Sequence, residues 1–307
     1  MERELVWNKV YDAIRVVAEH LACGPRPQGH PDVYPTWIIL VCWLWACLWR
    51  LPQVQAMTTL ASRAKRRYYG YLGFRLPQVI PANCTVSRRG QRADFLQLRA
   101  AVQHYLLDRL LPTKACQTLI VDSSPLDIPT ISHDQDARWG HHGHFGYRLH
   151  TLLTEDGAIV AEQVEITNVQ ELTVFPQLLA TAAAVGITCR FVAADMGYDS
   201  EPAHRATQRL VGGMLVAPLN NRGGRRAFVR TPLRQAMWRR WHSPPLRRAR
   251  RRRPRIERYH SVLKGPLAID SLPRHIRGLS RVRRFVLGCT LLYHGYLLEK
   301  RAKHAVK

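Results

Sequence analysis

Three things are scarce in this sequence of 307 residues: paired cysteines, long apolar runs and acidic residues. Its seven cysteines are scattered without any CxxC spacing, which excludes a disulfide or zinc framework and indicates a reduced, intracellular protein. The longest apolar run, from Trp37 to Trp49, has 13 residues, whereas a membrane-spanning helix needs about 20. The start, MERELVWNK, lacks the apolar core of a signal peptide. We therefore expect a cytoplasmic protein with no membrane partner, in which residues 37–49 form a buried helix or an apolar interface.

Acidic residues are too few to balance the basic ones. The chain has 22 Asp and Glu against 46 Lys and Arg, which gives a formal net charge of +24 and a pI near 10.6. Such an excess attracts polyanions, and eight of the twelve residues from Arg247 to Arg258 are arginine. This clustering indicates nucleic acid as the partner, rather than a soluble protein that is merely basic.

The remaining composition is that of a folded chain. An apolar content of 46% is typical of globular proteins, and the length suffices for one large domain or two smaller ones. Residues 1–115 are predicted to be mostly helical, because FLQLRAAVQHYLLDRLL has helical periodicity and the apolar run precedes it. Between them lie a basic stretch, ASRAKRRYYGYLGFR, and NCTVSRRGQR, whose composition predicts a turn that leads into a DNA-facing helix.

Residues 116–307 alternate between strand and helix patterns. QTLIVD is a strand that ends in an acid, and YRLHTLL and AIVAEQVEI form a hairpin around TEDG. Two further strands, ITCRFVAAD and GMLVAPL, alternate with the helices ELTVFPQLLATAAAVG and SEPAHRATQRLVG, the latter with Ser200 as its N-cap. Two last helices are predicted at about 254–264 and 279–303. Because a hairpin is antiparallel and helical crossovers give parallel neighbours, we predict an α/β fold with a mixed sheet flanked by helices.

Asp122 and Asp195 each follow an apolar strand at the point where it ends. Functional groups collect at strand ends in α/β sheets, and two carboxylates placed side by side there would repel each other unless a cation lies between them. Glu257 supplies a third acid from a helix, and an all-oxygen ligand set suits Mg²⁺ or Mn²⁺. The alternative is that both aspartates are ordinary turn or cap residues.

Glu257 favours the metal site, because it lies within the arginine cluster in RPRIERYHSVLK. On a helix at about 100° per residue, Arg253, His260 and Lys264 fall within about 60° of it. Pro254 can begin such a helix, which leaves Arg253 at its boundary. An acid flanked by cations is what a phosphodiester site requires, since the acid holds the metal and the cations hold neighbouring phosphates.

Four motifs, in this order, resemble the DDE transposases of bacterial insertion sequences. They are IVDSSPL with Asp122, FGYRLHTLLTEDGAIVAEQVEITNVQE, VAADMGYDS with Asp195, and RPRIERYHSVLKG with Glu257. In the last motif an arginine four residues before the glutamate and a lysine seven residues after it are typical of the family. One departure is Arg250, which stands where the family often has a tyrosine.

The resemblance implies a ribonuclease-H-like catalytic domain over residues 116–307, preceded by a helical region, residues 1–115, for DNA-end binding and assembly. Asp122, Asp195 and Glu257 would hold two Mg²⁺ or Mn²⁺ ions. The partners would be double-stranded DNA, both element ends and target, with a homodimer in the DNA complex and a nucleoid-associated location. Two alternatives stay open: a ribonuclease-H-like nuclease without strand transfer, and a domesticated DNA-binding protein without catalysis.

Several other polar residues compete for roles in the site. We interpret four acids that do not end an apolar strand as loop or cap residues: Asp127, Asp134, Asp136 and Asp199. A loop with four histidines could hold zinc, but its glycine spacing and the lack of a CxxC partner favour a DNA-facing loop: these are His133, His141, His142 and His144.

Two aromatic residues and one basic loop also have predicted roles. Trp139 could stack on a base or serve as a local packing anchor. His150 lies inside a strand and is expected to pack in the core. The loop NNRGGRR resembles a phosphate-contacting loop through Arg222, Arg225 and Arg226, the alternative being an exposed turn.

Overall fold

The structure, a computed structural model, describes residues 3–21, 33–129, 133–140, 143–220, 231–265, 267 and 272–305. The chain forms two compact units. One contains Met1–Leu110 together with Phe285–Lys307, and the other contains Leu111–Arg284.

The first unit is helical, as predicted. Its helices up to residue 110 are α1 (Arg3–His20), α2 (Thr36–Trp49), α3 (Gln53–Ala61), α4 (Arg63–Tyr71), α5 (Asn83–Arg89) and α6 (Ala93–Leu110). Helix α2 is apolar all round, and a helix of that kind is buried: Leu40, Leu44 and Trp45 have no exposed surface. It ends at Arg50, which adopts the left-handed conformation with φ of 54°.

An aromatic cluster joins three of these helices. The Trp45 ring lies 5.1 Å from Trp7 of α1, 4.9 Å from Tyr69 of α4 and 5.5 Å from Phe74, each in edge-to-face geometry. Such aromatic pairs contribute about 0.5–1.5 kcal/mol each beyond their buried area. The cluster therefore fixes one side of α4 to the core of the first unit.

The segment NCTVSRRGQR departs from its prediction as a turn. Asn83–Arg89 form helix α5, and the turn at Gly90 follows it. Arg89 is only 4% exposed. Its guanidinium donates to the Tyr34 carbonyl and to Thr36 Oγ1, and lies 3.3 Å from Asp94. These three partners therefore satisfy Arg89, because its cation needs partners once it is removed from water, while Asp94 stays partly exposed.

The second unit is built on a six-stranded mixed sheet. Its strands are β1 (Ala115–Asp127), β2 (Arg138–Trp139), β3 (Phe145–Thr154), β4 (Ile159–Ile166), β5 (Thr188–Ala193) and β6 (Met214–Val216). Strand β3 is antiparallel to β1 on one side and to β4 and β2 on the other. Strand β1 is parallel to β5, which is parallel to β6. The predicted mixed sheet of the ribonuclease-H-like fold is confirmed.

In the described part of the second unit, the α-helices that lie wholly within it are α7 (Glu171–Ala184), α8 (Glu201–Val211), α9 (Pro232–Arg239), α10 (Pro244–Arg252) and α11 (Arg255–Lys264). Ser200 caps α8 as predicted, since its Oγ accepts from the Ala203 amide. Helices α9 and α10 were not predicted. The buried side of α10 consists of Leu246 and Ala249, which pack against Phe191 and Val216. Because arginines surround these two residues in the sequence, the apolar periodicity of the helix is hard to recognise.

The last helix, α12 (Leu279–Ala305), begins in the second unit and continues into the first. The predicted region 116–307 therefore differs from the structural division. Two glycines explain the difference: a Cβ on Gly288 would lie 2.7 Å from Cys47 Sγ, and one on Gly295 would lie 2.6 Å from Val10 Cγ2. These glycines allow α12 to pack closely against α1 and α2. The periodicity of the sequence does not predict this packing.

Among the described residues, no single helix is long and apolar enough to cross a membrane. Helices α2 and α3 pass that test only as a pair, by length and composition, and the pair is bent by 109°.

Candidate active site

The sheet register brings Asp122 and Asp195 together. Ile120 of β1 pairs with Ala193 of β5, and the same parallel register two residues later sets Asp122 level with Asp195. The charge of Asp195 contributes to the raised pKa of Asp122. The two acids are therefore close together, as expected, but β1 does not end at Asp122: it continues to Asp127, because its pairing with β3 extends beyond the end of β5.

Asp122 lies in a crowded acidic environment. Burial raises its pKa to about 6, and the neighbouring carboxylates of Asp195 and Glu171 add to the rise. The Arg253 guanidinium, with Nη2 3.5 Å from Asp122 Oδ2, and the Ser123 amide, 2.9 Å from Oδ1, oppose it. The negative charge of Asp122 is thus only partly offset by its protein partners.

Asp195 lies two residues after the end of β5 and caps a short 3₁₀ turn, Met196–Tyr198. Its Oδ1 accepts a hydrogen bond of 2.8 Å from the Gly197 amide. This bond fixes the carboxylate at the strand end. Asp195 is therefore a cap residue, and the same hydrogen bond holds its carboxylate in the acidic site.

Glu171, the first residue of α7, is a further acid of the site that the sequence analysis did not single out. Its Oε1 accepts from Ser123 Oγ at 2.5 Å and from Arg148 Nη1 at 3.3 Å. Acids are common in the first turn of helices, where they interact favourably with the helix dipole. Glu171 therefore carried no distinguishing signal, although it ends one of the family-like motifs.

Tyr198 lies beneath these acids and is fully buried. Burial raises its pKa well above the ordinary value, and Glu171, Asp122 and Asp195 raise it further, in that order. Within the described residues its hydroxyl has no hydrogen-bond partner. A buried hydroxyl without a partner is costly, so this donor points to a site that is completed by something else.

Arg253 and Glu257 lie where α10 meets α11. Arg253 and Pro254 both have helical backbone angles between the two helices, as the predicted boundary at Pro254 requires. Arg253 reaches Asp122, whereas Glu257 is exposed to solvent. Among the described residues, no three His, Cys, Asp or Glu side chains are arranged to hold a metal ion. The structure therefore brings Asp122 and Asp195 together, but does not include Glu257 with them.

The other predicted DNA contacts are only partly described. His260 is half-buried on α11, with its ring 5.2 Å from that of Tyr259. The side chain of Lys264 and the loop with Arg222, Arg225 and Arg226 lie outside the described residues.

The site fits Mg²⁺ or Mn²⁺ by its chemistry. Asp122 and Asp195 offer only carboxylate oxygens, which these ions prefer. The raised pKa of Asp122 shows that the site disfavours its negative charge, and a bound dication would reverse this effect.

The rival acids have structural roles. Asp127 pairs with His144 at 3.0 Å, and Asp134 accepts hydrogen bonds of 2.9 Å from the Tyr147 hydroxyl and the Gly278 amide. Asp136 accepts from the Leu279 amide at 2.8 Å, at the start of α12.

Asp199 is more than the predicted loop residue, because its buried carboxylate binds several donors. Arg234 donates from Nε at 3.0 Å and from Nη2 at 2.6 Å, and His204 and the Asn220 amide also contact it. This network joins three segments of the second unit and leaves Asp199 no role in the acidic site. His150 is fully buried, as predicted, and Trp139 is 61% exposed beside Phe145.

A family model described as "Transposase DDE domain" matches residues 116–294. No curated protein sequence matches the chain. Among solved structures, the chain is similar to a piggyBac transposase in a cryo-EM structure of its synaptic complex with hairpin DNA, with 9% identity and a TM-score of 0.34. The similarity covers 72% of this chain and 51% of the other, so this chain spans about half the length of that transposase.

Proposed function

Because the chain belongs to the DDE transposase family, we propose that it cleaves the ends of a mobile DNA element and joins their 3′ ends to target DNA. The observation that carries the proposal is the pair formed by Asp122 and Asp195, where β1 passes the end of its parallel neighbour β5, with Arg253 facing Asp122. The domesticated, non-catalytic alternative gives no reason to keep two half-buried acids side by side.

Asp122 and Asp195 would hold the divalent ions in this proposal, with Glu257 as the third acid. Glu257 follows Arg253 by one helical turn, and Arg253 already contacts Asp122. Bound Mg²⁺ or Mn²⁺ would activate the attacking water or 3′-OH and stabilise the charge on the leaving oxygen. The acids therefore need no covalent intermediate with the protein.

The cationic residues of the second unit would position the DNA. Arg253 is 33% exposed in its side chain, so its guanidinium can contact a phosphate as well as Asp122. Arg247, Arg248 and Arg251 of α10 are exposed and would add sequence-independent attraction. We also include His260, Lys264, Arg222, Arg225 and Arg226 among the proposed DNA contacts.

Helix α4 supports a DNA-binding role for the first unit. Its Arg66 donates to the Pro77 and Gln78 carbonyls, and Tyr69 packs in the aromatic cluster, so these two residues anchor it. The rest of its surface is exposed and contains no acid: this face consists of Arg63, Lys65, Arg67, Tyr68 and Tyr71. Such a surface is complementary to a phosphate backbone. We propose that it helps to bind the element ends, in a homodimeric complex at the nucleoid.

Incubation with labelled element ends, a target plasmid and Mg²⁺ tests the proposal. We expect cleaved ends and joined products from the wild-type protein, and neither product from Asp122→Asn, Asp195→Asn or Glu257→Gln. DNA affinity should stay equal or increase in these variants, because each removes a negative charge near phosphate. Cleavage without joining would identify the nuclease alternative, and DNA binding without either reaction would identify the domesticated one.

A further inference from the structure

We propose that Glu171 is a positioning residue of the acidic site, whose carboxylate joins the strand that carries Asp122 to the turn that carries Asp195. This inference rests on the proposed function, since it concerns how the two acids are held for a divalent ion. Glu171 has two separate links, one through each carboxylate oxygen.

The first link is to β1 through Ser123, the residue after Asp122. Strand β1 pairs with β5 only as far as Ile120, so Asp122 and Ser123 lie where β1 has passed the end of its parallel neighbour. Only β3 continues to pair with β1 there, Ser123 being opposite His150. The 2.5 Å hydrogen bond from Ser123 Oγ to Glu171 Oε1 supplies an additional constraint at this place. Since successive side chains of a strand point to opposite faces, holding Ser123 also orients Asp122.

The second link is to the turn after β5 through Gly197. A Cβ on Gly197 would lie 2.9 Å from Glu171 Oε2 and 3.0 Å from Asp195 Oδ1. The two carboxylates therefore flank the bare Cα of Gly197, and any side chain there would displace one of them. The Gly197 amide meanwhile donates to Asp195 Oδ1. Glu171 and Asp195 thus both lie close to the position that a side chain of Gly197 would take.

Helix α7 is built to keep Glu171 in this position. Phe175, one turn after Glu171, packs edge-to-face on the buried Tyr198 ring, with the centroids 5.3 Å apart. The Tyr198 hydroxyl lacks a hydrogen-bond partner within the described residues and lies among Glu171, Asp122 and Asp195. This buried, unpartnered hydroxyl beside the three acids is an observation independent of the hydrogen bonds of Glu171.

An ordinary helix-capping role does not account for Glu171. A capping carboxylate bonds the free amides of its own helix, whereas the described hydrogen bonds of Glu171 go to β1 and β3. Arg148 of β3, whose side chain is 17% exposed, offsets its charge from the face of the sheet. Glu171 therefore has a counter-ion of its own and need not take Arg253 from Asp122.

Binding of Mn²⁺ to the full-length protein without DNA, followed by electron paramagnetic resonance, tests the role directly. Loss of a residue that orients metal ligands typically lowers metal affinity about 10–100-fold, and we expect a loss in this range for Glu171→Gln. Ser123→Ala should lower the affinity less, because it removes one link and keeps the Arg148–Glu171 pair. Asp127→Asn, which changes an exposed acid further along the same strand, is the matched control and should leave the affinity unchanged.

DNA cleavage supplies the second measurement. Raised Mn²⁺ should partly restore cleavage by Glu171→Gln but not by Asp122→Asn, and DNA affinity should be the same in both. Circular dichroism establishes that each variant is folded. If Glu171→Gln does not fold, Ser123→Ala decides: unchanged Mn²⁺ affinity in that variant overturns the inference.

The outcomes separate this inference from the proposed function. Mn²⁺ affinity that falls in Asp122→Asn but not in Glu171→Gln overturns the positioning role and leaves the proposed site intact. Mn²⁺ affinity that survives Asp122→Asn overturns the proposed metal site, and the inference with it.

Discussion

Arg253 is the cation that lies next to Asp122 in the acidic site. The pattern placed it four residues before Glu257, and the structure places its guanidinium 3.5 Å from Asp122. A cation at this distance can hold a phosphate next to the acids, where small displacements of the DNA slow the chemistry. Arg258, one residue after Glu257, is exposed, so it should add only general attraction.

Comparison of Arg253→Ala with Arg258→Ala tests this difference. At saturating DNA we expect Arg253→Ala to slow cleavage by about a hundredfold, similar to the loss of one electrostatic donor in an active site. Arg258→Ala should change the rate by about twofold or less, as for an exposed charge. Saturation ensures that weaker binding is not mistaken for slower reaction. Equal losses in the two variants would show that Arg253 has no special place.

His150 makes the stability of the second unit depend on pH. Burial, and then the charge of Arg148, lower its pKa from 6.5 to about 4. Between these values the unfolded chain binds a proton that the folded chain does not, so stability is lost as pH falls from 6.5 to about 4. The loss should approach about 3 kcal/mol, from 1.36 kcal/mol per pKa unit.

Urea unfolding at pH 7 and at pH 4.5 measures the effect. His150→Gln should reduce the pH dependence of the unfolding free energy, because glutamine cannot take up the proton. His20→Gln, at an exposed position of α1, controls for the loss of a histidine. The same pH dependence in His150→Gln and wild type would mean that His150 titrates normally.

At the scale of single residues, the sequence identifies acids that follow an apolar run, but it does not distinguish a functional acid at the start of a helix from an ordinary one. Asp122 and Asp195 were predictable because an apolar run stops at each of them. Glu171 was not, since a first-turn acid is ordinary in any helix. The role of the Tyr198 hydroxyl was not predictable either, because the burial of Tyr198 depends on its contact with Phe175 in another element.

Among the secondary-structure elements, α4 shows how anchoring and exposure are divided along one helix. Arg66 and Tyr69 hold it to the first unit, whereas Arg63 and Arg67 point to solvent one turn apart. If the exposed face binds DNA, each arginine releases about one counterion when it contacts a phosphate. Helix α8 carries a matched pair, Arg205 and Arg209, also exposed and one turn apart.

DNA affinity measured from low to moderate salt distinguishes the two helices. The double variant Arg63→Ala/Arg67→Ala should reduce the slope of log affinity against log salt by about two units. Arg205→Ala/Arg209→Ala removes the same charge and should reduce it by clearly less than one unit, in keeping with the loss of a distant, screened field. Equal reductions would indicate that the net charge, and not α4, determines binding.

Elements were predictable where periodicity and caps agree. The hairpin, α7, α8 and α11 follow from their patterns, including Ser200 as a cap and Pro254 at a boundary. Helix α10 was hidden because its buried stripe is only Leu246 and Ala249 among arginines. The apparent turn NCTVSRRGQR is helical because tertiary contacts, the hydrogen bonds from the buried Arg89 to Tyr34 and Thr36, override its local composition.

At the scale of the whole molecule, the chain returns to its first unit at the end. A region boundary near residue 115 follows from the change of pattern, but the return of Phe285–Lys307 does not, because it depends on glycines that allow helices to approach. The later part of α12 buries apolar side chains, Val286 and Leu292 among them. Removing residues 1–110 would expose this surface to water, at about 25 cal/mol per Å² of apolar area.

Two fragments therefore should behave differently, although both contain Asp122, Asp195 and Glu257. Fragment 111–284 keeps the second unit and omits the part of α12 that belongs to the first unit, so it should be monomeric, folded and able to bind DNA without preference for element ends. Fragment 116–307 carries α12 without its partners α1 and α2, so it should self-associate or precipitate as concentration rises. Size-exclusion chromatography with light scattering measures the first difference, and competition between end and random DNA measures the second. A fragment 111–284 that still selects the element ends would place end recognition in the catalytic unit, and a soluble monomeric 116–307 would show that α12 does not need the first unit.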